Sequence, residues 1–325
     1  MKACLLFVFA ISNAQLIPQA LKDLYNVDYS LYRGHQLINA VKGLDAIGQN
    51  SRNSYPLSSP RPSYGVTAMD VQNYLQHSLI SVCKADKLDK CFCEGRFADL
   101  KIFINETFDA QAAVATDSRN KLIIISYRGS VSKKNWDTNF RSELINYPKL
   151  NSKIKIHQGF YEHFRSLHSQ MEPEVLKLLN NPKYKNYKLH VTGYSLGASV
   201  AAIALPAWTS LLSTRRMEKK AQLFIYSGPR PGNVEFSRYL ETLGIPLIRY
   251  AKNGDVVPHV PDQSVGYSHV GQEFYDGSLF LRKKEVIRCA NNVIEDGNCL
   301  LHDTQFHFIN HFLPFQKVIP LPPFC

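Results

Sequence analysis

One stretch of fourteen residues constrains this chain more than any other. Leu189-His190-Val191-Thr192 runs into Gly193-Tyr194-Ser195-Leu196-Gly197, followed by the small residues Ala198-Ser199-Val200-Ala201-Ala202. A short apolar run, a glycine-flanked serine and a small-residue helix pattern together spell G-x-S-x-G in a strand, turn and helix context. The chemistry needs this composition. The serine occupies a strained turn, and the glycines let strand and helix approach without side-chain collision. The turn also aims the Ser195 hydroxyl at the helix N-terminus, where backbone N–H groups without intrahelical partners can hold a developing negative charge. Five residues with three fixed recur by chance, so the flanking strand and helix carry the weight. They make Ser195 the candidate nucleophile.

The rest of the chain repeats that alternation. Val71, Tyr74, Leu75 and Leu79 recur at three and four residues, as on one helix face. Residues 122–126, 188–192, 223–226 and 247–250 are short apolar runs of strand length, and residues 164–179 and 195–212 have helical length and pattern. Strands separated by helices predict an α/β fold with a mostly parallel sheet covered by helices on both faces. We find no internal repeat.

The N-terminus has the form of an export signal. Met1-Lys2 is followed by an apolar stretch over residues 3–11, and Ser12-Asn13-Ala14 puts small residues three and one before a cut ahead of Gln15. No later segment approaches eighteen consecutive apolar residues, so no transmembrane helix is expected. Residues 52–63 are Pro/Ser-rich and are expected to behave as a linker. The organisation expected is a signal peptide over 1–14, an N-terminal extension or propeptide over 15–64, and one catalytic-type domain over 65–325.

Cysteine usage agrees with export. Of seven cysteines, Cys4 leaves with the signal peptide, and Cys83, Cys91, Cys93, Cys289, Cys299 and Cys325 form an even set. The closeness of Cys91 to Cys93 and of Cys289 to Cys299 points to two local staples, although six cysteines allow fifteen pairings. Zinc-type spacers and paired histidines are missing. Asn105-Glu106-Thr107 is an acceptor for N-glycosylation. The formal charge of +11 admits a nucleic-acid partner or an anionic surface. No recognised nucleic-acid fold or aromatic–basic module accompanies it.

Around the serine, further motifs fall in order. Tyr127-Arg128-Gly129-Ser130 with Asn135-Trp136, His157-Gln158-Gly159-Phe160, Gly228-Pro229-Arg230-Pro231-Gly232-Asn233, and Asn253-Gly254-Asp255-Val256-Val257-Pro258 resemble successive motifs of the class 3 lipases, secreted fungal triacylglycerol lipases and their relatives. The resemblance runs from about Cys83 to Cys325. It implies an α/β-hydrolase fold with a short lid helix, and disulfides joining 83 with 325, 91 with 93 and 289 with 299. Tyr194 stands where the family usually has His, and Ser227 where it usually has Gly.

An activated serine needs a base and an acid that orients the base, and on this fold they follow in the order Ser, Asp, His. Asp255, on a glycine-containing turn after the run 247–250, matches the family's catalytic Asp. Asp262, beyond two prolines, is its near competitor. Among the histidines, His269 matches a family residue that is usually structural, and His259 lies too close to Asp255 along the chain. His302, His307 and His311 remain. Ile309-Asn310-His311-Phe312-Leu313-Pro314-Phe315 keeps the apolar residue, the His and the final Phe of the family's last motif, but has Asn310 for Asp and Pro314 for Tyr. His311 is the assigned base, with His307 the principal alternative and His302 the other. The oxyanion hole is expected from Ser130 and the N–H of Leu196.

These residues imply a secreted carboxylic-ester hydrolase of the triacylglycerol lipase type, with no metal or cofactor. A phospholipase, a feruloyl-type esterase or a catalytically inactive lipid-binding relative are the alternatives, the last prompted by Tyr194 and the altered His motif. The resemblance places the lid at residues 131–140. That segment is polar apart from Val131, Trp136 and Phe140, which favours shorter or more soluble esters. Its Lys133-Lys134, with Arg215-Arg216, Lys219-Lys220 and Arg282-Lys283-Lys284, suits peripheral contact with anionic lipid interfaces. The expected destination is the secretory pathway, with the extracellular space as the first reading and the vacuole or the wall as alternatives.

Overall fold

The computed structural model describes residues 53–82, 96–129, 143–213, 220–278, 285–304, 306 and 308–316. The expected signal peptide, the expected extension up to residue 52, Cys83, Cys91, Cys93, Cys325, Ser130, the segment 131–140, His307 and most of the basic runs lie outside the described residues.

Helix α1 (Ala68–Leu79) opens the domain behind a capping box. Thr67 Oγ1 accepts from the Asp70 amide, and the Thr67 amide donates to the Asp70 carboxylate at 2.9 Å. The first three strands are β1 (Ala98–Asn105), β2 (Ala110–Asp117) and β3 (Leu122–Tyr127). Two short strands, β4 (Leu144–Asn146) and β5 (Lys155–His157), form a separate hairpin-like pair. Then come α2 (Gln158–Asn180), β6 (Lys188–Tyr194), α3 (Leu196–Ser213), β7 (Ala221–Tyr226), α4 (Val234–Glu241), β8 (Leu247–Lys252), β9 (Gln272–Asp276) and β10 (Val286–Arg288). The main sheet has eight strands in sequential order β1-β2-β3-β6-β7-β8-β9-β10. Its five central strands, β3 to β9, are parallel; β1, β2 and β10 pair antiparallel at the two sides.

Alternation along each central strand feeds two cores. Ile123, Ile125, Tyr127, Leu189, Val191, Leu223 and Ile225 pack with α2 and α3 on one face. Leu122 and Ile124 face the other way with Ile80, while Phe224, Tyr226, Ile248 and Tyr250 meet Val71, Leu75 and Leu79 of α1. A strand buried on both faces reads as continuously apolar, so β3 shows as Leu-Ile-Ile-Ile in the sequence. Strand β2 gave no such signal. Its sequence Ala-Gln-Ala-Ala-Val-Ala-Thr-Asp is alanine-rich and favours helix intrinsically, yet it is wholly buried as a strand. Small side chains there let α2 approach one face, and tertiary packing overrides the propensity.

Helix α3 is apolar on all sides and long enough to cross a membrane by length and composition. Most of it is instead buried against β6, β7 and α2, as expected of a core helix in a doubly covered sheet.

The Pro/Ser-rich segment differs from the linker expected. Its extended backbone pairs with residues 291–294: Ile294 donates to the Tyr55 carbonyl at 2.9 Å, Leu57 to Asn292 at 2.9 Å and Arg61 to Asn291 at 2.8 Å. The Arg61 side chain is buried, meeting Glu241 at 2.7 Å and donating to the Val293 carbonyl at 2.6 Å. Asn53 and Gln263 exchange two further bonds. Proline-rich chain is already extended, so it loses little freedom on docking and offers its amides and carbonyls to a loop.

Of the cysteines, the described pair is Cys289–Cys299, which is bonded. Glu273 lies near these sulfurs, but disulfide sulfurs offer no thiolate to a metal. Asn105 of the glycosylation acceptor ends β1, where its amide donates to the Ser166 carbonyl at 3.1 Å and accepts from the Phe108 amide.

In four of the buried histidines, His77, His163, His190 and His269, burial pushes the imidazole below its ordinary value. His163 goes to about 3, with the neighbouring Arg128 charge adding to the burial. Below pH 6.5 the unfolded chain takes up a proton that folded His163 refuses, so stability falls with falling pH until the folded value is reached. Replacing His163 by Phe should remove about 2 kcal/mol of the stability lost between pH 8 and pH 5. Urea unfolding of both proteins across that range measures it; parallel curves would contradict it.

Candidate functional site

Strand β6 ends at Tyr194, and the chain turns through Ser195 into α3. Ser195 has φ +56°, the left-handed region, as a serine forced over a tight strand-to-helix turn must. The turn closes only with glycine on both sides. A Cβ on Gly193 would stand 2.2 Å from the Gly197 carbonyl oxygen, and one on Gly197 would stand 2.0 Å from the Tyr127 carbonyl oxygen at the end of β3. The turn is anchored by the Ser195 amide, which donates to the Tyr226 carbonyl of β7 at 2.9 Å. Leu196 begins α3, so its N–H has no carbonyl four residues earlier within the helix.

Two other segments bring partners to the serine. Asp255 follows β8 and the left-handed Gly254, φ +69°. It is fully buried, and its carboxylate accepts from the Val257 amide at 3.0 Å. His311 lies on a short 3-10 turn, Phe308–Phe312. Its Nδ1 sits 3.0 and 2.9 Å from the two Asp255 carboxylate oxygens, and its Nε2 is 2.9 Å from Ser195 Oγ. An ionised carboxylate only accepts, so Nδ1 carries the proton and Nε2 is left as acceptor for the serine hydroxyl. The relay is buried, with Ser195 7% exposed.

The structure thus brings Ser195, Asp255, His311 and Leu196 together. His302 lies exposed on the turn Leu300–His302, and His307 and Ser130 lie outside the described residues. Asp262 caps a loop turn, accepting from the Ser264 amide at 2.8 Å. His259 sits 3.5 Å from Asp303, not on Asp255.

The remaining motif residues hold the frame. His157 caps α2, accepting from Phe160 N–H at 3.3 Å and stacking on its ring. Asn233 caps α4 while also bonding the Lys155 amide and the Lys153 carbonyl. Arg230 pairs with Glu295 at 2.8 Å and donates to the His259 and Pro261 carbonyls, and His269 meets the Pro258 carbonyl at 2.7 Å. Burial raises the Glu295 carboxyl, but the Arg230 charge and others outweigh it and hold the group well below the usual carboxylate range. These bonds fix the loop that begins at Asp255.

Two residues have roles the sequence did not reveal. Asp303 accepts from the Gly254 amide at 2.9 Å and receives the Tyr275 hydroxyl, so it sits directly behind the acid-bearing turn. Tyr194, notable in sequence only as a departure from the family pattern, donates its hydroxyl to the carbonyl of His311. Neither bond has a local sequence signature, because 49 and 117 residues separate the partners.

Residues 124–265 match the family model described as lipase (class 3). A lipase of Rhizomucor miehei is 28% identical over 222 residues, covering 68% of this chain and 56% of that protein. This chain therefore spans little more than half of that relative's length. A secreted mono- and diacylglycerol lipase A of Penicillium cyclopium is 31% identical over 229 residues, covering 65% of this chain and 72% of that protein. A solved fungal lipase–inhibitor complex superposes with a TM-score of 0.69 at 25% identity, covering 79% of this chain and 98% of that one. With its doubly covered, mostly parallel sheet and its serine turn between β6 and α3, the chain has the α/β-hydrolase fold and belongs to the class 3 lipase family.

Proposed function

We propose that this protein is an exported serine hydrolase that cleaves carboxylic esters of acylglycerols. The observation that carries this reading is the buried relay from Ser195 Oγ to His311 Nε2 and from His311 Nδ1 to Asp255, all at 2.9 to 3.0 Å. Likeness to relatives named as lipases supports the substrate class.

In the first step His311 Nε2 takes the Ser195 proton as Oγ attacks the ester carbonyl carbon. Asp255 steadies the imidazolium through Nδ1–H. Negative charge moves to the carbonyl oxygen, where the Leu196 N–H, and Ser130 as the second donor, stabilise it; one such donor contributes on the order of 3 kcal/mol. The tetrahedral intermediate collapses, His311 returns the proton to the leaving alkoxide, and an acyl-Ser195 ester remains. Water, deprotonated by the same nitrogen, then attacks the acyl carbon; the bond to Ser195 Oγ breaks, His311 returns the proton to Oγ, and the fatty acid leaves.

The export signal over 1–14, removal of an extension within 15–64, glycan attachment at Asn105 and an extracellular destination belong to the same proposal, as do disulfides 83–325 and 91–93. The packed segment 53–63 favours a processing point before Asn53. The polar segment 131–140 favours soluble or short-chain esters, and its Lys133 and Lys134 favour anionic interfaces.

Ser195→Ala, Asp255→Ala and His311→Ala should each lower kcat for a soluble ester by about 10³-fold or more, with circular dichroism unchanged. A serine-directed phosphonate should label Ser195 in the wild-type protein. Wild-type rates in His311→Ala, with loss in His307→Ala, would move the base to His307. Across triacylglycerols of graded chain length, rates should favour short chains and rise gradually through the solubility limit; a sharp jump at the interface with long chains would count against the polar lid. Fatty-acid release from phospholipid, or ferulate release, in preference to acylglycerol hydrolysis would redirect the substrate class. Lys133→Glu with Lys134→Glu should weaken binding to anionic vesicles and leave neutral vesicles unaffected, which vesicle co-sedimentation measures.

A further inference from the structure

His311 must hold Nε2 within hydrogen-bond reach of Ser195, yet its backbone belongs to no strand of the main sheet. The relay itself grips only the imidazole ring. The turn that carries the ring needs its own anchors. Among the described residues, bonds that tie this segment to the rest of the domain include these: the Tyr194 hydroxyl donates to the His311 carbonyl, Asn310 Nδ2 donates to the Asn253 carbonyl at 3.0 Å, and just beyond the turn the Phe315 amide donates to the Tyr250 hydroxyl at 2.9 Å. Of these, only Tyr194 bonds the base's own residue.

Tyr194 is also the residue before the nucleophile. It is the last residue of β6, paired with Tyr226 on β7. The same strand end therefore fixes the nucleophile through the peptide bond and the base through the phenol. Its side chain is buried, and its ring lies 5.4 Å from the His311 ring. Burial, with the nearby Asp255 charge, pushes the phenol well above its ordinary value, so the hydroxyl stays protonated and available as donor. Ser227 lies beside it at a left-handed φ of +47°. The two positions at which the elbow region departs from the class 3 pattern, Tyr194 and Ser227, are thus neighbours in space. They sit behind a base motif that departs at Asn310 and Pro314.

We propose that Tyr194 is a positioning residue for the base: its hydroxyl holds the His311 carbonyl so that Nε2 meets Ser195 Oγ, anchoring a turn that the sheet does not hold. The inference rests on the serine-hydrolase reading. A displacement of about 1 Å in such a relay costs up to about 100-fold in rate, and a pocket-independent anchor affects turnover rather than binding.

The test uses the full chain and a short-chain soluble ester, with active sites counted by phosphonate labelling. Tyr194→Phe removes only the oxygen and should lower kcat per labelled site about tenfold or more, with KM within twofold of wild type. Amide hydrogen exchange over 308–313 should speed up. A merely structural tyrosine would lower the melting temperature and the number of labelled sites while leaving kcat per site unchanged, and that result would overturn the proposal. Tyr194→His decides if the Phe variant does not fold: its shorter imidazole should give a similar loss in kcat, and wild-type kcat per site would overturn it. If wild-type protein neither reacts with the phosphonate nor hydrolyses ester, the hydrolase reading itself fails. Active wild type with unaffected variants removes only the role of Tyr194.

Discussion

The close approach of α3 to the ends of β3 and β6 is the constraint on which the site depends. Gly197 lies so near the Tyr127 carbonyl, and Gly193 so near Gly197, that neither position accepts a methyl group. Only that approach lets the chain reverse from strand to helix through one left-handed serine. A left-handed non-glycine residue costs on the order of 1–3 kcal/mol, which the surrounding sheet and helix must offset. They do so by burial: β6 beyond Lys188 and most of α3 are inaccessible, and the Ser195 amide is tied to β7.

Partners for the serine arrive from loops, and loops hold position only when their polar groups are satisfied. Buried ion pairs do that here. Arg230, paired with Glu295, holds the loop after Asp255 through the carbonyls of His259 and Pro261, and Arg249 of β8 meets Glu273 of β9 at 3.0 Å. Such pairs contribute little net stability, since desolvating two charges nearly cancels their attraction. Their value lies in geometry: a guanidinium presents several donors in one plane, and each fixes a carbonyl of an irregular segment. Asp303 does the same for Gly254 with a single carboxylate.

Legibility in the sequence tracked how local each signal was. Strands buried on both faces showed as apolar runs, α1 showed through its three- and four-residue spacing, and α2 and α3 through their helical length and pattern. Strand β2 was missed because alanine fits a crowded sheet and an isolated helix equally well. The segment 53–63 read as a linker because composition reports backbone freedom in the unfolded chain, not the edge of a loop 230 residues away that pairs with it. Asp255 was legible from chain order, the glycine turn and its match to the motif of the class 3 lipases. His311 was chosen among three histidines by a partial motif, and its distance to Ser195 is what the fold adds.

By itself the sequence determined the serine turn, since glycines flanking a serine between an apolar run and a small-residue helix satisfy one steric problem and few others. It determined the parallel core as well, through runs that only burial on both faces can use. Tertiary structure alone decided which imidazole reaches the serine, what stands behind the acid, and that the tyrosine before Ser195 grips the base's carbonyl. Those contacts join residues 49 to 117 positions apart. No local periodicity encodes them, because their geometry is set by where the strand ends and loops come to rest once the core has packed.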